Sequence, residues 1–166
     1  MKKRYIVFYF ITLMAFCQYL PVGAISEGQK SAIVDHCEAI KADLRTVQRS
    51  DSRTRVYLGG YYESILTKYM MPLNVKLVEA NLPNVGLVEN QNSFAATRGK
   101  FAEDFVNYQK GLEELVAMNC KAEPENFYEK LTSVRKKRKV VEQDVVKIRE
   151  LTAEQVKMVK KLAEEL

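Results

Sequence analysis

PENFYEKLTSVRKKRKVVEQDVVKIRELTAEQVKMVKKLAEEL, residues 124–166, carries the cleanest apolar period in the chain. Phe127, Leu131, Val134, Arg138, Val141, Val145, Ile148, Thr152, Gln155, Val159, Leu162 and Leu166 follow each other in steps of four and three, and only three of them are polar. A 3.5-residue period held over several heptads marks a helix packed in coiled-coil fashion, against other helices of the chain or against a second copy. Pro124 suits the first helical position. Arg138, Thr152 and Gln155 would set the register.

The segment before it reads the same way. From about Ser93 to Asn119, Phe94, Phe101, Phe105, Tyr108, Leu112 and Leu115 form one stripe, read as core rather than as a ligand box. Further upstream, Ile33, Cys37, Ile40, Leu44 and Val47 share a face that continues through Asp51 and Thr54 to Leu58, Tyr61 and Ile65. Neither Ser50-Asp51 nor Gly59-Gly60 demands a break there, whereas Pro72 demands at least a kink. Between Leu73 and Asn92 the reading is a short helix over 73–82, then a loop marked by Pro83, Asn84, Gly86, Asn90 and Asn92. Strand-like alternation is nearly absent.

The expected fold is all-α: an elongated antiparallel three-helix bundle, coiled-coil-like, with helices at about 30–71, 93–119 and 124–166, the last running back alongside the first, and the short piece at 73–82. Residues 25–166 form its single domain. At 1.5 Å per residue the last helix reaches about 65 Å and the first about 51 Å from Cys37, so the turns bearing Val156, Val159, Leu162 and Leu166 are expected to overhang.

The first 24 residues have the order of a secretory signal: Met1-Lys2-Lys3-Arg4, an apolar run from Tyr5 to Phe16, then Val22-Gly23-Ala24. Cleavage is expected between Ala24 and Ile25, giving a secreted, periplasmic or envelope protein. An uncleaved anchor is the rival, although the apolar run falls short of the ~20 residues a spanning helix needs and Gln18 and Pro21 interrupt its end. Lipidation at Cys17 is a second rival, poorly served by the bulky Phe16 before it. Removal of Lys2, Lys3 and Arg4 takes the formal charge from +5 to +2, too little for a nucleic-acid-binding face.

With Cys17 gone, Cys37 and Cys120 remain as an even pair in an oxidising compartment, and a disulfide is the natural reading. Closing a loop of roughly 80 residues would stabilise the fold by ~4 kcal/mol in the chain-entropy model. Two buried thiols or an interchain bridge are the alternatives. Bridged α carbons must lie within ~7 Å, so two antiparallel arms joined there must reverse near residue 78 or 79. That favours one long first helix.

Catalytic chemistry is thin. His36, the one histidine, adjoins Cys37 but points elsewhere on a helix, and a bridged cysteine is no nucleophile. There is no CxxC, no GxSxG, no HExxH and no Gly-rich phosphate loop. Met70-Met71 reads as packing rather than as a soft-metal site. The expectation is a non-enzyme with no metal and no cofactor.

Two basic clusters stand out, Arg45, Arg49, Arg53 and Arg55, and the run Arg135-Lys136-Lys137-Arg138-Lys139. The second is read as a solvated helix face with Glu129, Glu142 and Asp144 as neutralising partners, or as a contact for an anionic membrane or envelope surface. Export, small size, helix content and mild basicity are together loosely similar to helical periplasmic holdase chaperones, a similarity of class that carries no residues. Those proteins pair helical arms with an oligomerising β core, and no strand-rich segment is present here. The functional expectation is an exported interaction or scaffold module, binding a protein partner or itself through its helix faces. The alternatives are a holdase for unfolded clients and an envelope-surface protein. A small-molecule carrier ranks last, because it needs an open space among Tyr61, Ile65, Phe101 and Phe105.

Overall fold

The computed structural model describes residues 25–165, so the expected signal of residues 1–24, with Cys17 and Ala24, lies outside the described residues. The described chain is all-α. Helix α1 spans Glu27–Asp35 and opens on a capping box: Ser26 Oγ accepts from the Gln29 N–H at 3.3 Å, and Gln29 Oε1 accepts from the Ser26 N–H at 3.0 Å. Helix α2 spans Cys37–Ile65, a π-helical turn covers Leu66–Met70, and α3 runs Met71–Glu79. Helix α4 is Val85–Ala117 and α5 is Pro124–Glu164.

Four helical stretches separated by non-helical backbone replace the three expected. The extra break is His36, whose φ of −107° and ψ of 15° end α1 and start α2. Beyond this joint α1 packs on both α2 and α5, with Ile33 buried and Lys30 bonded to Glu125 at 2.5 Å.

Pro72 does not end the first arm. A proline removes one helical N–H bond and crowds the carbonyl four residues back, and the preceding turn widens in response. The Met71 N–H bonds to the Leu66 carbonyl, five residues earlier. The helix then runs on to Glu79 and stops in a Schellman motif: Asn81 takes a φ of 55°, its N–H bonds to the Val78 carbonyl, and the Leu82 N–H bonds to the Leu77 carbonyl. The expected irregular stretch up to Asn92 therefore shrinks to residues 80–84, and α4 begins eight residues earlier than expected. Asn90, read as a loop marker, is instead a buried helical residue whose Nδ2 donates to two acceptors on α5, while its Oδ1 has no partner among the described residues.

With this longer first arm, about 64 Å from Cys37 to Glu79, α5 does not overhang as far as Val159, and Leu166 lies outside the described residues. Val156 and Val159 face the arm across a cavity.

Helix α4 is the centre of the bundle. Phe94, Phe101, Phe105, Tyr108, Leu112 and Leu115 are all buried, as the aromatic stripe requires. Tyr62 meets Phe94 and Phe101 edge-on, with ring centres at 6.3 and 5.7 Å. Gly111 lets α5 approach closely, since a Cβ there would lie 3.3 Å from Val134 Cγ2. Helix α5 buries Phe127, Val134, Val141, Ile148 and Gln155 at intervals of seven, together with Asp144 and Leu151 on the adjoining flank. The other half of the expected heptad set, Leu131, Val145, Thr152 and Val159, is only half-buried, and Arg138 is exposed.

That shift corrects the expectation that the last helix lies alongside the first. No α carbon from Cys37 to Glu79 comes within 8 Å of α5. Both pack on α4, and its large aromatic side chains hold them apart. Cys37 and Cys120 are bonded, with α carbons 5.7 Å apart, which ties the start of α2 to the α4–α5 turn.

Candidate functional site

Because the backbones of the first arm and α5 flank α4 without close approach, a groove runs between them with the α4 aromatics as its floor. Its narrower section, about 350 Å³, lies between Asp51, Thr54 and Leu58 on α2 and Val141, Glu142 and Val145 on α5, over Phe101, Phe105 and Tyr108. Here Arg138 crosses the groove, its Nε donating to Asp51 Oδ2 at 3.0 Å. Tyr108 donates its hydroxyl to the same oxygen at 2.8 Å. Burial, then the Asp51 carboxylate, raises the Tyr108 pKa above the ordinary phenol range, and the bond to Asp51 holds the Arg138 guanidinium more firmly protonated. The Arg55 guanidinium lies 5.5 Å from the centre of the Phe105 ring.

The wider section, about 720 Å³, opens where the π turn forms the wall. Tyr61, Ile65, Met70, Leu73, Val156 and Val159 make it apolar, and Lys68, Lys76 and Lys160 line it as well. Among the described residues no carboxylate borders this section. Among the residues expected to frame a carrier cavity, Phe101 and Phe105 thus border the narrow section and Tyr61 and Ile65 the wide one.

A second surface lies at the end of the bundle far from the disulfide. Met71, Val75 and Val78 on α3 are 46%, 57% and 63% exposed, and Val85 at the start of α4 is 71% exposed. Between α3 and α4, Met71, Val75 and Val78 border a shallow furrow of about 340 Å³ that also receives Asn74, whose buried Oδ1 has no hydrogen-bond partner among the described residues. From Tyr69 to Ser93 the only charged residues are Lys76, Glu79 and Glu89, in a chain that is 28% charged.

The basic run of α5 is not one face. Arg138 turns toward Asp51 and also approaches Glu142 at 3.6 Å, while Lys137 reaches the Asn107 carbonyl on α4. Arg135, Lys136 and Lys139 remain exposed. Asp144 is no partner for this run. It is buried against α4, where Lys100 Nζ bridges it at 3.1 Å and Asp104 at 2.5 Å. Burial raises the Asp144 pKa, while the Lys100 hydrogen bond lowers that of Asp104. Of the upstream cluster, Arg49 bonds to Thr46 Oγ1 and Arg55 covers Phe105.

Sequence reasoning missed the Asp144–Lys100–Asp104 group and the lysine-bordered cavity, because each joins residues from helices whose rotation about α4 no single-helix period reveals. Among the described residues no three His, Cys, Asp or Glu side chains are grouped to hold a metal ion, and no helix is long and apolar enough to cross a membrane. Comparison with protein-family models, with curated proteins and with solved structures yields no match to this chain.

Proposed function

We propose that this is an exported, non-enzymatic interaction module that docks through the end of its bundle remote from Cys37–Cys120. The carrying observation is the exposed apolar set Met71, Val75, Val78 and Val85 within a charge-poor stretch. Exposed apolar area with few charges is the composition of an interface core. The occupant that fits is a neutral, apolar helix of another protein, laid in the furrow between α3 and α4 and offering Asn74 Oδ1 the donor it lacks. An anionic lipid surface fits less well, because the described residues lining the furrow include no cation and one acid, Glu79.

The test is light scattering on the protein isolated from its native exported fraction, beside a Val75→Asp, Val78→Asp double variant. A defined complex heavier than the chain alone, reduced to monomer by the two substitutions, is expected. A monomeric native protein would overturn the docking reading, and a mixture of unrelated unfolded proteins would replace it with the holdase reading.

A further inference from the structure

One buried donor in the wide section of the groove has no acceptor among the described residues. Gln155 is 7% exposed and borders the cavity, and its Nε2 makes no hydrogen bond. The orientation of its amide is fixed from outside. The Leu151 carbonyl accepts from Asn90 Nδ2 at 2.9 Å and so sets the orientation of the Asn90 amide, and the same Nδ2 donates to Gln155 Oε1 at 2.7 Å, while Asn90 Oδ1 stays unpaired among the described residues. The Gln155 oxygen is thereby committed to α4 and its N–H₂ is left over. An unmet buried donor costs free energy unless something supplies an oxygen.

The same cavity supplies a charge preference. Lys68, Lys76 and Lys160 border it, none is paired with an acid among the described residues, and no carboxylate is present in its lining. Thr152, the one hydroxyl outside tyrosine, already donates to the Ile148 carbonyl. The remaining surface is aromatic and aliphatic, and the volume lies within the range of small-molecule sites. The Asp51–Arg138 bridge crosses the groove beyond this section, which suits a flexible single chain better than a rigid helix running its full length.

We infer that the wide section is a binding site for a long-chain carboxylate. Its alkyl chain lies along Ile65, Leu73, Val156 and Val159. Its head accepts from Gln155 Nε2 and neutralises the lysines. This site shares no lining residue with the proposed docking furrow and stands or falls without it.

The test titrates the full chain with cis-parinarate, displaces the bound probe with dodecanoate, and follows the Gln155 side-chain amide by NMR. Saturable one-to-one binding, displacement by dodecanoate but not by dodecyltrimethylammonium, and a shift of the Gln155 amide resonances are expected. Lys76→Glu and Lys160→Glu change exposed residues and should each weaken binding about tenfold, Gln155→Glu more, and Lys136→Glu not at all. Absence of saturable binding, displacement by the cation as readily as by the carboxylate, or affinity unmoved by the rim substitutions would overturn the inference. So would binding only to anionic phospholipid vesicles with the Gln155 amide unmoved, since the ligand would then be a membrane surface.

Discussion

Asp51 and Arg138, 87 residues apart in sequence, meet across a groove whose two walls make no backbone approach within 8 Å. The pair is therefore a strut between the first arm and α5, and its acid also holds the buried Tyr108 hydroxyl. Removing the two partners should have unequal consequences. Asp51→Ala leaves a buried hydroxyl unmet and should cost about 1–3 kcal/mol. Arg138→Ala removes a half-exposed partner and should cost less than about 1 kcal/mol. Urea unfolding of both variants checks the order.

The disulfide should matter more than any single hydrogen bond. Replacing both Cys37 and Cys120 by alanine should lower stability by about 4 kcal/mol, because it frees an 83-residue loop in the unfolded chain. The check is the urea midpoint of the oxidised protein beside that of the double variant.

Asp144 gives a pH signature. Its pKa is raised in the fold, chiefly by burial, so its carboxyl favours the folded state when protonated and this contribution is lost as pH rises through the folded-state value. Asp104 runs the other way: Lys100 lowers its pKa, so its contribution is present at neutral pH and lost as pH falls. Asp144→Asn removes the first effect and leaves Lys100, the chief cause of the second, in place. The variant should melt higher relative to the native chain at pH 7.5 than at pH 4, as thermal unfolding at the two values would reveal.

Gly60 is exposed on α2 with open space where a Cβ would sit. Gly60→Ala should stabilise the protein by about 0.5–1 kcal/mol through helix propensity alone. A calorimetric midpoint measures it.

Helix content, the α4 aromatic core and the Cys37–Cys120 bond were legible because each rests on spacing within one segment or on a pair of residues. Phe94, Phe101, Phe105 and Tyr108 are buried where their period puts them. The extent of the first arm was not legible, because Pro72 and Asn81 are both helix-ending residues by composition, and only the π turn shows that the first is absorbed while the second ends the helix. The rotation of α5 was hidden for a different reason. A heptad stripe fixes which residues align, but Asp144 is buried and Arg138 exposed only because α4 claims one edge of that stripe and leaves the other facing the groove. Gln155 was legible as a polar register position; its leftover donor depends on Asn90, a residue that composition assigned to a loop.

The docking claim is tested most directly by photo-crosslinking in the native setting, with a benzophenone side chain placed at Val78 in one sample and at Val106 in another. Both positions are exposed, at 63% and 53%, but only Val78 lies at the charge-poor end. One defined adduct from Val78 and none from Val106 is the predicted result. Equal adducts from both positions, or none from Val78, would contradict the account.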